Sequence, residues 1–438
     1  MIKNSYTLQS EINSTEPYTA LNGEYVLSLS EAKIYFTDGG FTRSLITVNT
    51  GEKIIDGSAA RITAELDKEP GSGISVFNIA EEVRDLTFRN IKLSVRYNGK
   101  PSGNTVYGFK NYSYRLAVKD CEIDFSAENQ INYTAIYNDG KLNSNLGTPA
   151  DRLTVSGNHI TAEQAAKEIS KQNVLCGIDN IFANSAGIYG NYIFIKNTGS
   201  GENQQAIGVR NSGWYTRLEN NNIKGNGRHN KGNLLERAHA YGMYNTGNYM
   251  IFTGNNCVGE WGGKCVGLYN SGMYANITGN KILATHTIMG RTIVIASQRN
   301  ILSGNIITNT SRNPHFIDVF GGNNIITNNY IQGLMFADEL RSGCGIFVEG
   351  RDGQKIEGCN ISNNILSGIK DFGIALINTQ KNIIQGNHFT GINGDYCAVY
   401  ANQDDTISGN ITDGSTGGTE PERKLRQNYD QAVYSLYE

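Results

Sequence analysis

Residues 324–331 read NIITNNYI, and the fold turns on how that phrase is understood. Its closely spaced apolar residues suggest a short strand with one buried face, yet it closes on paired asparagines where a sheet would want a side chain to pack. The phrase returns as SGNHI at 156, YGNYI at 189, TGNKI at 278, SGNII at 303, SNNIL at 362 and QGNHF at 385. Taking the aligned residues as Asn158, Asn191, Asn221, Asn255, Asn280, Asn305, Asn329, Asn364, Asn387 and Asn410, successive spacings run from 23 to 35 residues. A floor with excursions above it indicates a solenoid coil whose loops vary in length.

Each unit holds short alternating runs, such as LTVSGNHI (153–160) and GIYGNYIFI (187–195), with apolar residues at every second position. Strands this short, separated by single polar turns, lack the two-residue signals of hairpins. Parallel stacking of successive coils remains. Equivalent turn residues then lie about 4.8 Å apart, so an asparagine at each turn can hydrogen-bond to its neighbour's amide in a ladder. The amides are expected to run along the stack and to satisfy turn groups that would otherwise be buried and unpaired.

Composition agrees with an all-β chain. Of 438 residues, 39% are hydrophobic and only 18% charged, and 51 glycines stand against 6 prolines. The surface must be polar without being ionic, and the chain turns often. A net charge of −3 without long runs of like charge excludes the electrostatic footprint of a nucleic-acid binder. No stretch has the length of a Sec signal or a membrane span, so a soluble protein is expected, with no membrane partner. Cys121, Cys176, Cys257, Cys265, Cys344, Cys359 and Cys397 are scattered and odd in number, which reads as buried free thiols with no metal site.

The GN-x-[IV] repeat resembles the right-handed parallel β-helix of the pectate-lyase-like superfamily, which includes phage tailspikes and capsule depolymerases. The resemblance covers about residues 50–412 and implies a single-stranded solenoid of about 12 coils. It divides the chain into a lead-in and cap over 1–50, the β-helix over 51–412, and a linker and tail over 413–438. The opening TLQSEINSTEPYTALNGEYVLS (7–28) is similar to the family's lead-in, with a short helix capping the core. A second helix is expected at TAEQAAKEISKQ (161–172), where Thr161 and Gln164 can form a capping box. The resemblance also implies a homotrimer, without cofactors. A location on a virion or outside the cell follows if the chain is phage-derived, and in the cytoplasm otherwise.

On a parallel β-helix, function must come from outward side chains of neighbouring coils. Aligning AIGVRN from 206, AYGMYN from 240, CVGLYN from 265, TIVIAS from 292, FIDVFG from 316, GIFVEG from 345 and GIALIN from 373 places the second and fourth positions inward, and the third and fifth toward solvent. The fifth position reads Arg210, Tyr244, Tyr269, Ala296, Phe320, Glu349 and Ile377, and the third includes Asp318. Aromatic rings beside carboxylates suit an oligosaccharide groove; the alternative for Tyr244 and Tyr269 is a ladder that only stabilises adjacent coils. Asp318 and Glu349 fall on adjacent coils two residues apart, with Cα atoms about 8 Å apart. That spacing overlaps the carboxyl separation of inverting glycosidases. Glu349 is expected as general acid and Asp318 as general base, the two roles being interchangeable, with Asp352 able to replace either, and with Arg210, Tyr244, Tyr269, His315, Phe320 and Arg351 binding substrate.

The expected function is therefore hydrolysis of a bacterial surface polysaccharide, capsular or O-antigen. One alternative is lyase or epimerase action on a uronic-acid polymer. NPHFID (313–318) resembles the DPHE-type motif of β-helical alginate epimerases, although Asn313 and Phe316 replace its acids. A lyase base is available at Lys264 or Arg291. The other alternative is a non-catalytic glycan-binding or capsule-biosynthesis β-helix.

Overall fold

The computed structural model describes residues 2–37, 40–70, 73–140, 152–165, 173–198, 204–227, 239–285, 289–311, 313–333, 343–369, 371–392 and 398–413. The chain folds as a right-handed parallel β-helix and divides into two compact units, Met1–Ile251 and Phe252–Glu438. The linker and tail beyond residue 413, the expected helical stretch over 166–172, and Cys397 lie outside the described residues.

The first unit opens on a helix, Ser5–Ile12, whose first turn is capped by Asn4 Oδ1 accepting from Thr7 N at 3.1 Å. Leu8 and Ile12 are its fully buried residues. One wall then stacks Gly40–Val48, Ile74–Ile79, Thr105–Asn111, Asn132–Asp139, Asn173–Ile181, Gln204–Asn211 and His239–Asn245 in parallel. Lys33–Thr37 pairs antiparallel with the first of these strands. The second unit repeats the wall with Lys264–Asn270, Met289–Ile295, Asn313–Val319, Cys344–Glu349 and Phe372–Ile377.

Residues 161–164 are strand rather than helix. His159–Gln164 pairs along its whole length with Glu122–Ala127 on one side and Tyr192–Asn197 on the other. Ile160, Ala162 and Gln164 alternate inward, and Gln164 satisfies its buried amide on Ile131 N and Asn173 Oδ1. Packing on two neighbours outweighs the local helical preference of the stretch.

The paired asparagines have two different jobs. Asn328 adopts a left-handed φ of 56°, the conformation that Gly304 takes at the equivalent turn with φ 64°. Asn and Gly are the residues that tolerate it. The second asparagine of each pair supplies the ladder. In the second unit Asn255, Asn280, Asn305, Asn329, Asn364, Asn387 and Asn410 are joined amide to amide at 2.9–3.1 Å. In the first unit Asn158, Asn191 and Asn221 do the same at 2.9 Å. A second ladder not anticipated from the repeat links Asn111, Asn138, Asn180, Asn211 and Asn245 at 2.7–2.8 Å. The six described cysteines are free and buried, and no helix among the described residues is long and apolar enough to cross a membrane.

Candidate functional site

In the second unit the register brings the expected acids together but corrects what surrounds them. Asp318 pairs with Phe347, and Val319 with Val348, which sets Phe320 opposite Glu349. Tyr269, however, pairs with Val294 instead of Ala296. Matching the last letters of CVGLYN and TIVIAS misplaced that strand by two residues. The inward contact of Leu268 with Ile293 fixes the actual register, and a slip of two keeps every side chain on its face while changing its neighbours.

The outward third position is not open to solvent. Asp318 is fully buried, as are Val294, Phe347 and Ala375 in the same column. Its Oδ1 accepts from His315 Nδ1 at 2.9 Å, and its Oδ2 faces Arg291 Nε at 3.1 Å in an ion pair whose angle falls outside hydrogen-bond geometry. Burial pushes the Asp318 carboxyl up, but the charges of Arg291 and His315 outweigh it and hold the group below the ordinary carboxylate range. Glu349 behaves oppositely: burial raises its pKa against the pull of Arg351, whose Nε lies 3.2 Å from Oε2. Arg351 also stacks over the Phe320 ring at 3.6 Å, and Phe320 packs on a cluster of Cys344, Phe347, Phe372, Ala375 and Ile377. Phe320 therefore anchors an arginine and a buried cluster, where a sugar platform was expected. Asp352 occupies an exposed turn closed by Gln354 N on Arg351 O. Burial and the Arg291 charge lower the Lys264 pKa.

Arg210 and Tyr244 belong to the first unit, in a cluster that the sequence alignment entered three strands too late. One outward column there runs Lys110, Tyr137, Asp179, Arg210 and Tyr244. Each residue stands immediately before an asparagine of the second ladder. That is the signal that would have found them: KN, YN, DN, RN and YN at the ends of successive strands. The Lys110 ammonium lies 5.0 Å from the Tyr107 ring centre and 5.2 Å from that of Tyr112. Its burial draws the pKa down to about 8, with the Asp139 charge opposing. Tyr137 donates to Asp139 Oδ2 at 3.0 Å and packs its ring 4.9 Å from Tyr107. Burial, with the negative charge of Asp139 beside it, raises the Tyr137 pKa and keeps the phenol protonated. Asp179 is fully buried and takes two donors of Arg210, Nε to Oδ1 at 2.8 Å and Nη2 to Oδ2. Tyr244 meets Tyr241 edge to face at 5.4 Å. No group of three or more potential metal-ligating side chains occurs among the described residues.

Residues 264–421 match a family described as a right-handed beta helix region. Similar solved structures include the A-module of a mannuronan C-5 epimerase from Azotobacter vinelandii, 11% identical, covering 90% of this chain and 92% of that one at a TM-score of 0.45. The DFA-IIIase of Arthrobacter chlorophenolicus A6 without its lid is 13% identical, with 88% of each chain covered and a TM-score of 0.46. Tailspike protein 3 of bacteriophage CBA120 is 10% identical, with 95% of this chain and 56% of that one covered and a TM-score of 0.41. Comparison with curated proteins gave no match.

Proposed function

We propose that the protein acts on a polysaccharide, by proton transfer at the Lys110 cluster of the first unit. One observation carries this reading: an amine with its pKa drawn down to about 8 lies between two tyrosine rings, on the strand beside a phenol hydrogen-bonded to a carboxylate. A lysine of that pKa is partly neutral near pH 8 and accepts a proton, while Tyr137 remains a donor. The pair suits a carbon acid whose hydrogen lies next to a carboxylate, as in a uronic-acid unit. Arg210 spends two of its five N–H donors on Asp179, and the rest of the fork suits the sugar carboxylate. Lys110 takes the hydrogen as a proton, leaving its electron pair in an enediolate. That pair then either expels the oxygen on the next carbon, which takes the phenol proton of Tyr137 and leaves an unsaturated end, or recaptures a proton on the opposite face of the ring, giving the epimer. Incubating a panel of uronic-acid polymers in deuterated water tests this. Deuterium at the carbon beside the carboxylate, lost in Lys110→Met, is expected; a full panel without exchange or ultraviolet-absorbing product sinks it.

Hydrolysis is the second reading, and Glu349 favours it. A half-buried carboxyl whose pKa burial raises is suited to give a leaving glycosidic oxygen the proton it needs. Asp318, sealed and ion-paired, serves in this reading to orient His315 by accepting from its Nδ1. New reducing ends from capsular or O-antigen polysaccharides, abolished by Glu349→Gln, would identify this chemistry.

A further inference from the structure

The corner that follows the Lys110 wall in the first unit carries one residue per coil in left-handed backbone. Counting two residues back from the paired positions Thr154, Gly187 and Arg217, and from Ile251 on the next coil, gives Arg152, Ser185, Tyr215 and Tyr249. Their φ angles are 63°, 58°, 56° and 58°. Backbone bonds lace the column together: Arg152 N donates to Asn184 O, Ser185 N to Trp214 O and Tyr215 N to Asn248 O. Asparagine or glycine meets that geometry at least cost, so the turn itself gives no reason for the two tyrosines.

The column is an incomplete stack. The Tyr215 and Tyr249 rings lie face to face at 4.8 Å and 11°, which is the spacing of the coils themselves. Tyr215 is 54% exposed, and on its other side the next rung is Ser185, exposed and too short to cover the ring. Beyond the serine stands Arg152, also exposed. Arg115, one rung further, is neutralised by Asp85 at 3.1 Å. Arg152 has no carboxylate partner among the described residues, and its guanidinium lies 5.9 Å from the Tyr114 ring. The result is a notch one rung high, with about 9.6 Å between the Arg152 and Tyr215 Cα atoms. It has a ring face at one end, a cation at the other and a hydroxyl on its floor.

We infer that this notch is an accessory subsite for one hexuronate unit of an acidic polysaccharide, an inference that rests on the reading that the protein acts on such a polymer. A six-membered ring on the Ser185 rung completes the stack, its C–H face against Tyr215 at the spacing that Tyr249 keeps on the other side. The carboxylate pairs with Arg152 in a charge-assisted contact, and ring hydroxyls meet Ser185 Oγ. A neutral sugar satisfies the ring face but leaves the cation without its partner. Ser185 shares its coil with Asp179, and Tyr215 shares its coil with Arg210, so a polymer held at the Lys110 column reaches the notch around a single turn. Gripping the chain away from the reacting bond favours long polymers over short ones.

Trp214, one of two tryptophans, is 49% exposed and edge-on to Tyr249 at 6.4 Å, so in a Trp261→Phe background its fluorescence reports the notch. The test is titration of that protein with oligomers of mannuronate, guluronate, galacturonate and glucuronate, with dextran as the neutral control. A saturable change with at least one acidic oligomer and none with dextran is expected. Ser185→Tyr fills the empty rung, and Tyr215→Asn removes the ring face while suiting the left-handed backbone. Each of these, and Arg152→Gln, is expected to weaken binding about ten-fold or more with an unchanged circular dichroism spectrum. Should Ser185→Tyr fail to fold, the other two variants decide. On the polymer that shows deuterium exchange, Ser185→Tyr is expected to raise KM and leave kcat unchanged. No response from any acidic oligomer, an equal response to dextran, or a response that survives the variants overturns the subsite, whether or not deuterium exchange occurs. A response lost in the variants without deuterium exchange on any polymer sustains the subsite and overturns the catalytic reading instead.

Discussion

Asp318 accepts a hydrogen bond from His315 Nδ1 at 2.9 Å, although the two stand three residues apart in one strand. Residues at that spacing in a regular strand face opposite sides. Phe316 and Ile317 between them are both fully buried, and the hydrogen bond nevertheless brings the two flanking side chains together. Arg291, the pairing partner of His315 on the preceding strand, meets the same carboxylate.

Breaking this cluster should destabilise the protein more than it changes its shape. Asp318→Asn takes the counter-charge from a mostly buried Arg291 and is expected to cost about 3–5 kcal/mol, read from the denaturant midpoint. The Asp318 pKa is held below its unfolded value, so its contribution is fully present above about pH 4. It is lost as pH falls through the folded value. An acid-unfolding midpoint that Asp318→Asn leaves unmoved would contradict this.

The Lys110 cluster predicts an ascending pH profile. The amine is lowered to about 8, so its neutral form grows as pH rises through that value, and proton-abstraction activity should rise with it. Lys110→Arg, which cannot deprotonate in this range, is expected to lose activity by at least a hundred-fold at pH 9. A flat profile between pH 6.5 and 9 would remove Lys110 as the base.

Glu349 predicts the reverse slope for hydrolysis. Its proton is retained above the ordinary range of about 4.3 because burial disfavours the charge. Release of reducing ends should therefore fall as pH rises through the raised value. Glu349→Gln should abolish that limb, and the activity with it if hydrolysis proceeds here.

Asn305 predicts the strength of the ladder. Its Oδ1 accepts from Asn280 N and Nδ2 at 3.0 Å, and its Nδ2 donates to Ile277 O and Asn329 Oδ1 at 2.9 Å. Asn305→Ala strands several buried groups at about 1–3 kcal/mol each, so a loss of about 3 kcal/mol or more is expected. Asn305→Asp preserves the shape but sets an acceptor against Asn329 Oδ1, and should be no milder. Equal stability of Asn305→Asp and wild type at pH 7 would show that the ladder carries little.

The sequence by itself determined the stack. NIITNNYI and its relatives encode a left-handed turn residue followed by a ladder amide, and both requirements are met by neighbours at the same turn one coil away. That is why Asn158 to Asn221 and Asn255 to Asn410 could be placed by alignment alone. Tertiary structure decided the rest. The partner of Tyr269 depended on the inward contact of Leu268 with Ile293, which no terminal letter records. That Asp318 is sealed, that the Glu349 pKa is raised and that the Lys110 pKa is drawn down to about 8 depended on what lies over an outer face. Alternation tells a side chain which way to point; it does not tell whether water or protein is waiting there.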